Sequence, residues 1–97
     1  MRWVWTAEKN ASNRQKHKLS FETAVLVFAD PLAMSRRDVY PDEERWQTVG
    51  LIGHVIVLVV HTLPEVDSRT GEETGRVISA RKATPQERRR YEEGDFE

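Results

Sequence analysis

The 97-residue sequence predicts an α+β fold, with a short first strand, two helices, a mainly antiparallel meander of four strands and a C-terminal helix. Apolar residues recur at helical spacing up to residue 30 and follow strand patterns from residue 32 to residue 83. A helix-start signal follows at residue 84. We expect the helices to pack on one face of the sheet. The length suits one domain, so we expect residues 1–97 to form a single domain.

The first part of the chain predicts one strand and two helices. WVW at residues 3–5 is typical of a short strand, and Thr6 is a suitable N-cap for a polar helix through AEKNASNRQKHK, residues 7–18. A second helix follows the N-cap Ser20, because one apolar stripe is formed by Phe21, Ala24, Val25 and Phe28. This helix ends at Asp30, since the residue before a proline is disfavoured in a helix.

From residue 32 the pattern is that of extended strands. LAMSRRDV (32–39) predicts one strand and RWQTVGL (45–51) a second, with PDEE as the turn between them. HVIVLVVH (54–61) is the most apolar run and predicts a central strand that is covered on both faces. PEVDSRTGEETG predicts a long hairpin connection, and RVISARKA (76–83) predicts the last strand.

The C-terminal helix has the clearest start signal of the chain. Thr84 is the predicted N-cap, Pro85 occupies the first helical position, and Glu87 completes a capping box. Tyr91 lies on the same helical stripe as Glu87. We expect its ring to anchor this otherwise polar helix to the sheet.

Charge is segregated along the chain, although the formal net charge is only -1. Residues 1–18 hold five basic residues against one acidic residue, and residues 76–91 hold six against one. Residues 19–75 hold four against ten, and the last six residues add four acids. If the two basic segments meet on one side of the fold, they form a positive face that attracts phosphate or an acidic partner.

Composition also excludes several classes of protein. Without cysteine there is no disulfide framework, no thiolate nucleophile and no cysteine zinc site. No apolar run approaches the length that spans a bilayer, and MRWVWTAEKN is too short in apolar residues to be a secretory signal. We therefore expect a cytoplasmic protein that does not associate with membranes.

Arg81 is the leading candidate for chemistry. Arg81 and Lys82 are neighbours on a predicted strand, so their side chains point to opposite faces, and Arg81 has the parity of Val77 and Ser79. A planar guanidinium matches two phosphate oxygens and stays charged at physiological pH. The alternative is an arginine that is paired with one of the many acids of residues 19–75.

The histidines and the triple arginine are weaker signals. His54 and His61 fall at opposite ends and on opposite faces of the predicted central strand, so they cannot share a metal ion. His61 is either a proton-transfer group or a histidine that caps the end of a strand. Residues 88–90 fan around their helix, so at least one of these arginines is solvated surface. No metalloprotease, hydrolase or nucleotide-loop motif occurs.

These residue types fit two classes of function. Basic side chains with His, Glu and Tyr, and without a metal motif, suit metal-free RNA cleavage, in which the ribose 2′-hydroxyl attacks the adjacent phosphate. They suit the binding of an anion or an acidic partner equally well. Direct DNA binding ranks last, because no dimer seam for a recognition helix is evident.

Four stretches resemble the BrnT family of toxins from type II toxin–antitoxin modules. They are WTAEKNASNRQKHKLSFETAVLVFADPLA, EERWQTVGL, HVIVLVVHT and VISARKATPQERRRYEEG, and they cover most of residues 3–94. The resemblance implies a RelE-like fold and a metal-independent endoribonuclease that needs no cofactor and inhibits translation. It also implies a BrnA-like antitoxin that neutralises the toxin in a hetero-oligomer. DNA is then bound only indirectly, through the antitoxin. The alternative is a non-catalytic basic module that docks an antitoxin-like or acidic partner.

By position, the resemblance implies two groups of site residues. The expected catalytic residues, with phosphate binding by the arginines and proton transfer by Glu or His, are Arg81, Arg45, His61 and Glu44. The expected ligands of RNA phosphate are Lys82, Lys16, His17, Arg88 and Tyr91. Two departures from the family pattern stand out. Lys18 follows His17 where the family commonly has glycine, so the left-handed turn must be made differently, and the connection 63–75 is longer than usual.

Overall fold

The computed structural model describes residues 1–97 and confirms the α+β class. Its elements, in chain order, are β1 (Arg2–Val4), α1 (Ala7–His17), α2 (Phe21–Ala24), a 3-10 helix (Val25–Ala29), β2 (Met34–Asp38), β3 (Arg45–Ile52), β4 (Val55–His61), β5 (Glu65–Val66), β6 (Glu73–Lys82) and α3 (Pro85–Glu93). The second predicted helix is thus split, because its last turn tightens to bonds between residues three apart, as from Asp30 N–H to the Val27 carbonyl at 3.1 Å. No helix combines the length and the apolar character that crossing a membrane requires.

The sheet has the strand order β1-β6-β4-β3-β2. The pairs β2–β3, β3–β4 and β4–β6 are antiparallel, so the predicted four-stranded meander is confirmed. The short β1 lies parallel to β6 at the edge of the sheet. The long connection 63–75 folds back on itself, because β5 pairs with the start of β6, and β6 therefore begins before the predicted residue 76.

Side chains of β4 are buried on both faces of the sheet, as predicted for the central strand. On one face, which we call the α1 face, the core consists of Phe21, Ala24, Val27, Val57, Val59, Val77 and Ala80. On the other, the α3 face, it consists of Val49, Ile56, Leu58 and Phe96, with Tyr91 packed against it. The prediction that the helices share one face is therefore wrong. An uninterrupted apolar strand presents apolar side chains to both faces, and both need a cover.

A β-bulge in β6 corrects the predicted parity of Arg81. Val60 pairs with Ser79, whereas His61 pairs with Val77, so Ile78 is the extra residue. Val77 consequently faces the α1 core, while Ser79 and Arg81 lie on the α3 face. The prediction that Arg81 and Ser79 lie on the same face is confirmed, and the prediction that Val77 shares that face is wrong.

Asn13 of α1 holds the second half of β6 in place. Its Nδ2 donates to the carbonyls of Leu19 and Ala80, both at 2.9 Å, and its Oδ1 accepts from the Ala80 N–H at 3.1 Å. On the edge of β6 that faces away from β4, the parallel strand β1 pairs only with Thr74–Arg76, so at Ala80 the amide of Asn13 bonds the backbone in place of a strand. These bonds set the position of the adjacent Arg81.

Candidate functional site

Three strands each place an arginine on the α3 face, namely Arg36 on β2, Arg45 on β3 and Arg81 on β6. On this face, one row of directly paired residues crosses four strands and is half-buried. We call it the open row, and it consists of Arg36, Gln47, Val60 and Ser79. The next row contains the buried residues Val49 and Leu58, over which α3 and Phe96 lie. The open row is therefore a polar floor that ends at the helix.

Arg81 is clamped by Glu87 of α3. Its Nη1 and Nη2 donate to the two carboxylate oxygens at 2.7 and 3.0 Å, and the Thr84 N–H of the capping box donates to the same carboxylate at 2.8 Å. Arg36 Nη2 lies 3.6 Å from Glu87 Oε2. The hydrogen bonds from Arg81 lower the pKa of Glu87 to about 2, and the same contact raises the pKa of Arg81. The carboxylate partner comes from α3 and not from residues 19–75.

Arg36 is held by a chain of side chains along the open row. Its Nε donates to Gln47 Oε1 at 2.8 Å, and Gln47 Nε2 donates to Asp38 Oδ1 at 2.6 Å. Its guanidinium carbon also lies 4.0 Å from the centre of the Phe96 ring. Arg36 is therefore preorganised, and Asp38 is placed at the far end of the same chain of hydrogen bonds.

Arg45 lies beside Glu43, not Glu44. Its Nε is 3.4 Å from Glu43 Oε2, and its guanidinium carbon is 3.7 Å from the centre of the Tyr40 ring. Arg76 donates to the other oxygen of Glu43. Glu44 instead accepts from the indole N–H of Trp46 at 3.3 Å. Glu44 takes part in none of the ion pairs with arginine.

His61 is buried on the α1 face, with 4% of its surface exposed. Since the Thr62 carbonyl can only accept, Nδ1 carries the proton and donates to it at 2.8 Å. Nε2 then accepts from the Thr48 hydroxyl at 2.6 Å, which in turn accepts from the Ser35 hydroxyl at 2.7 Å. Burial lowers the pKa of His61, so the ring is neutral and lies away from the arginines.

The expected phosphate ligands fall in different places. Lys82 and His17 meet at a pocket on the α1 face, whereas Lys16 is exposed on α1 outside it. Arg88 is exposed on α3. Tyr91 donates to Asp30 Oδ2 at 2.5 Å, which raises the pKa of Tyr91 to about 12, and its ring packs on the α3-face core. The prediction that Tyr91 anchors α3 is confirmed.

Several residues of this arrangement are absent from the predicted site residues: Arg36, Asp38, Glu43, Gln47 and Glu87. The alternation in the predicted strand LAMSRRDV is a signal that Arg36 and Asp38 share a face, but the pairing with β3 that brings them to Gln47 is not a local property. Glu87 is predicted only as a helix cap. No group of three or more His, Asp and Glu side chains is arranged to hold a metal ion.

The sequence model of one protein family, described as "Ribonuclease toxin, BrnT, of type II toxin-antitoxin system", matches residues 5–87. The chain belongs to the BrnT family. No curated protein sequence matches it. Membership makes this BrnT chain a ribonuclease toxin whose partner is an antitoxin, as predicted. The match includes the three arginines of the α3 face, while Arg88 and Tyr91 lie beyond it.

Proposed function

We propose that this BrnT toxin is an endoribonuclease that cleaves RNA without a metal ion and thereby inhibits translation. The observation that supports this activity is that Arg36, Arg45 and Arg81 lie on the same face of the sheet, where Arg36 and Arg81 share the carboxylate of Glu87. Cleavage of a phosphodiester adds negative charge to the phosphate in the transition state. Arginines that are already held in place stabilise that charge without reorganisation.

Arg81 can bind a phosphate while it stays paired with Glu87. A guanidinium has five N–H donors. Glu87 accepts two of them, and the Lys82 carbonyl accepts one at 3.4 Å, which leaves donors for a phosphate. The side chain of Arg81 is 36% exposed, so the remaining donors are open to solvent. In this proposal Glu87 orients Arg81, and Arg81 contacts the substrate.

We assign the removal of the 2′-hydroxyl proton to Asp38. Of the predicted proton-transfer groups, His61 is buried on the other face and Glu44 is turned to Trp46. Glu43 lies beside Arg45, but each of its two carboxylate oxygens is already paired with an arginine. Asp38 accepts one side-chain hydrogen bond, from Gln47 of the open row.

The reaction that these groups serve is an internal transfer. The ribose O2′ forms a bond to phosphorus as its proton moves to Asp38, and the bond from phosphorus to the 5′ oxygen breaks. The 5′ oxygen takes up a proton from water. The products are a 2′,3′-cyclic phosphate and a free 5′-hydroxyl, and arginines around the phosphate stabilise the additional charge.

Expression of the chain without its antitoxin tests the activity. We expect the wild-type chain to arrest bacterial growth and Arg81→Ala to relieve the arrest, while the variant stays folded by circular dichroism. Arg89→Ala is the matched control, because Arg89 is exposed on α3. The purified chain should cut RNA to cyclic-phosphate ends in the presence of EDTA. Growth that is unaffected by the wild-type chain would refute the proposal.

A second candidate is a binding module that docks an acidic or antitoxin-like partner and has no catalytic activity. The observation that favours it is that all three arginines already contact carboxylates within the chain, Glu87 for Arg36 and Arg81 and Glu43 for Arg45. This candidate predicts salt-sensitive binding of the partner and no cut RNA. A defined cut in purified RNA excludes it.

We also propose a RelE-like fold and one domain over the whole chain. Near one end of the chain, Trp3 stacks on Phe28 with ring centres 4.2 Å apart, and near the other Phe96 is 3% exposed in the α3-face core. A BrnA-like antitoxin is the proposed partner, in a cytoplasmic hetero-oligomer that reaches DNA through the antitoxin. Limited proteolysis of the purified chain tests the domain, and co-purification with the product of the neighbouring gene tests the partner.

A further inference from the structure

A small pocket on the α1 face lies where α1, β4 and β6 meet at one end of the sheet. Its volume is about 150 Å³, and its lining consists of His17, Lys18, Leu19, Thr23, Ile52, Val55, Val57 and Lys82. The floor is aliphatic and the rim carries the two lysines, the histidine and the threonine. Pockets for drug-sized ligands have roughly 300–1,000 Å³, so this one suits a single ring.

The cations at this pocket differ from the arginines of the α3 face, because no carboxylate lines the pocket. Lys18, Lys82 and His17 take part in none of the ion pairs of the chain. Lysines that gather around an apolar floor without a counter-charge repel one another. An anion bound between them removes that repulsion.

The backbone at Lys18 is a second sign of a ligand site. Lys18 ends α1 in the left-handed conformation, with φ at 57°, and it is the only residue other than glycine with a positive φ. Glycine adopts this conformation at a lower energetic cost. Strained positions of this kind concentrate at ligand sites, where the side chain itself is needed. Here the lysine side chain is placed at the rim of the pocket.

The end of β6 connects the pocket with Arg81. Lys82 pairs with Val57 and faces the α1 side, and the preceding Arg81 faces the α3 side. Beyond Lys82 the strand ends at Ala83, whose N–H donates to the Ile56 carbonyl at 2.9 Å. A single-stranded chain that passes over this end of the sheet can therefore contact Arg81 and Lys82 with phosphates that are close in its sequence.

We propose that this pocket is a nucleotide subsite for the RNA substrate, and the proposal rests on the ribonuclease function given above. One base of a single-stranded segment outside the cleaved bond inserts against the aliphatic floor. Lys18 and Lys82 bind the phosphate of that nucleotide, and the imidazole of His17 hydrogen-bonds its sugar or base. The subsite selects single-stranded RNA, because a base in a duplex cannot leave its stack without losing its pair.

Two variants separate the phosphate and base contributions. Lys82→Ala removes a cation, and its control is Lys9→Ala on the exposed side of α1. Val55→Trp fills the pocket from the first residue of β4, where Val55 is 40% exposed, and its control is Val66→Trp, where Val66 is 64% exposed. The ligands are a 2′-O-methyl RNA hexamer, which cannot be cleaved, and the same hexamer without bases.

We expect Lys82→Ala to weaken binding of both hexamers by roughly tenfold and to reduce the salt dependence by about one phosphate contact. We expect Val55→Trp to weaken only the hexamer that carries bases. Equal binding of that hexamer by Val55→Trp and the wild-type chain would overturn the subsite. So would a loss of antitoxin binding with RNA binding intact, since the pocket would then be a protein docking site. Because the hexamer is not cleaved, these results do not depend on whether the chain cuts RNA.

Discussion

Replacement of Glu87 by glutamine removes the central carboxylate of the α3 face while it preserves the shape of the side chain. Glu87 is 8% exposed, and its pKa is lowered from 4.5 to about 2, mainly by hydrogen bonds from Arg81. At about 1.4 kcal/mol for each pH unit, this difference corresponds to about 3 kcal/mol of stability at pH 7. Because the side chain of Arg81 is 36% exposed and can be hydrated when it loses its partner, we expect Glu87→Gln to cost about 2–3 kcal/mol.

The sign of the pH dependence follows from the lowered pKa. The ionised carboxylate stabilises the folded state fully above pH 4.5, and this contribution is lost as the pH falls towards 2. Urea unfolding at pH 7 and pH 3, followed by fluorescence of the three tryptophans, measures the free energy of unfolding. The difference between the wild-type chain and Glu87→Gln should shrink at the lower pH. A difference that does not change with pH would refute the ionic origin of the effect.

Glu92→Gln is the matched control for this experiment, because Glu92 is exposed on the same helix. Glu87→Gln also tests the role that we give to Arg81. If Arg81 binds phosphate through donors that Glu87 does not use, Glu87→Gln keeps its affinity for RNA. The guanidinium of Arg81 is nevertheless less well oriented in this variant. We therefore expect the rate of RNA cleavage to fall more than RNA binding does.

Two further substitutions test how the α1 side of the fold is held. Lys18→Gly should raise the free energy of unfolding by about 0.5–1 kcal/mol, because glycine adopts the left-handed conformation at lower cost; unchanged or lower stability in urea unfolding would contradict this. Asn13→Ala should lower the free energy of unfolding by about 2–4 kcal/mol. The buried amide makes three hydrogen bonds, and its loss leaves the N–H and carbonyl of Ala80 without these partners. Hydrogen exchange at Ala80 that is no faster in Asn13→Ala would show that another group replaces the amide.

Elements that depend on neighbouring residues could be predicted from the sequence. The capping box of α3 forms as predicted, with the Thr84 hydroxyl accepting from the Glu87 N–H at 3.2 Å, because its parts lie within one helical turn. The antiparallel meander could also be predicted, because turn residues in the local sequence mark each connection between successive strands. The bulge at Ile78 could not be predicted, because it exists only in the register of β6 against β4.

The candidate site shows the same division. Arg81 is predicted as a phosphate ligand from its residue type and strand position, and Arg45 from the family resemblance. Both lie on the α3 face, and their binding of phosphate stays a prediction. Their partners could not be predicted, because Glu87 reaches Arg81 only when α3 packs on the sheet. His61 shows the opposite case, in which a titratable residue at a strand end is buried by Trp3 and Phe28 from other elements.

By itself, the sequence determined the α+β class, the order of the strands along the chain, the caps of the helices and the membership of the BrnT family. These properties depend on residue types over short spacings or on residue identities along the chain. Only the tertiary structure decided that α3 lies on the opposite face from α1, that three arginines share the α3 face, and that Lys82 and His17 line the same pocket. Those outcomes depend on strand register and on contacts between distant segments, for which a linear pattern contains no distance information.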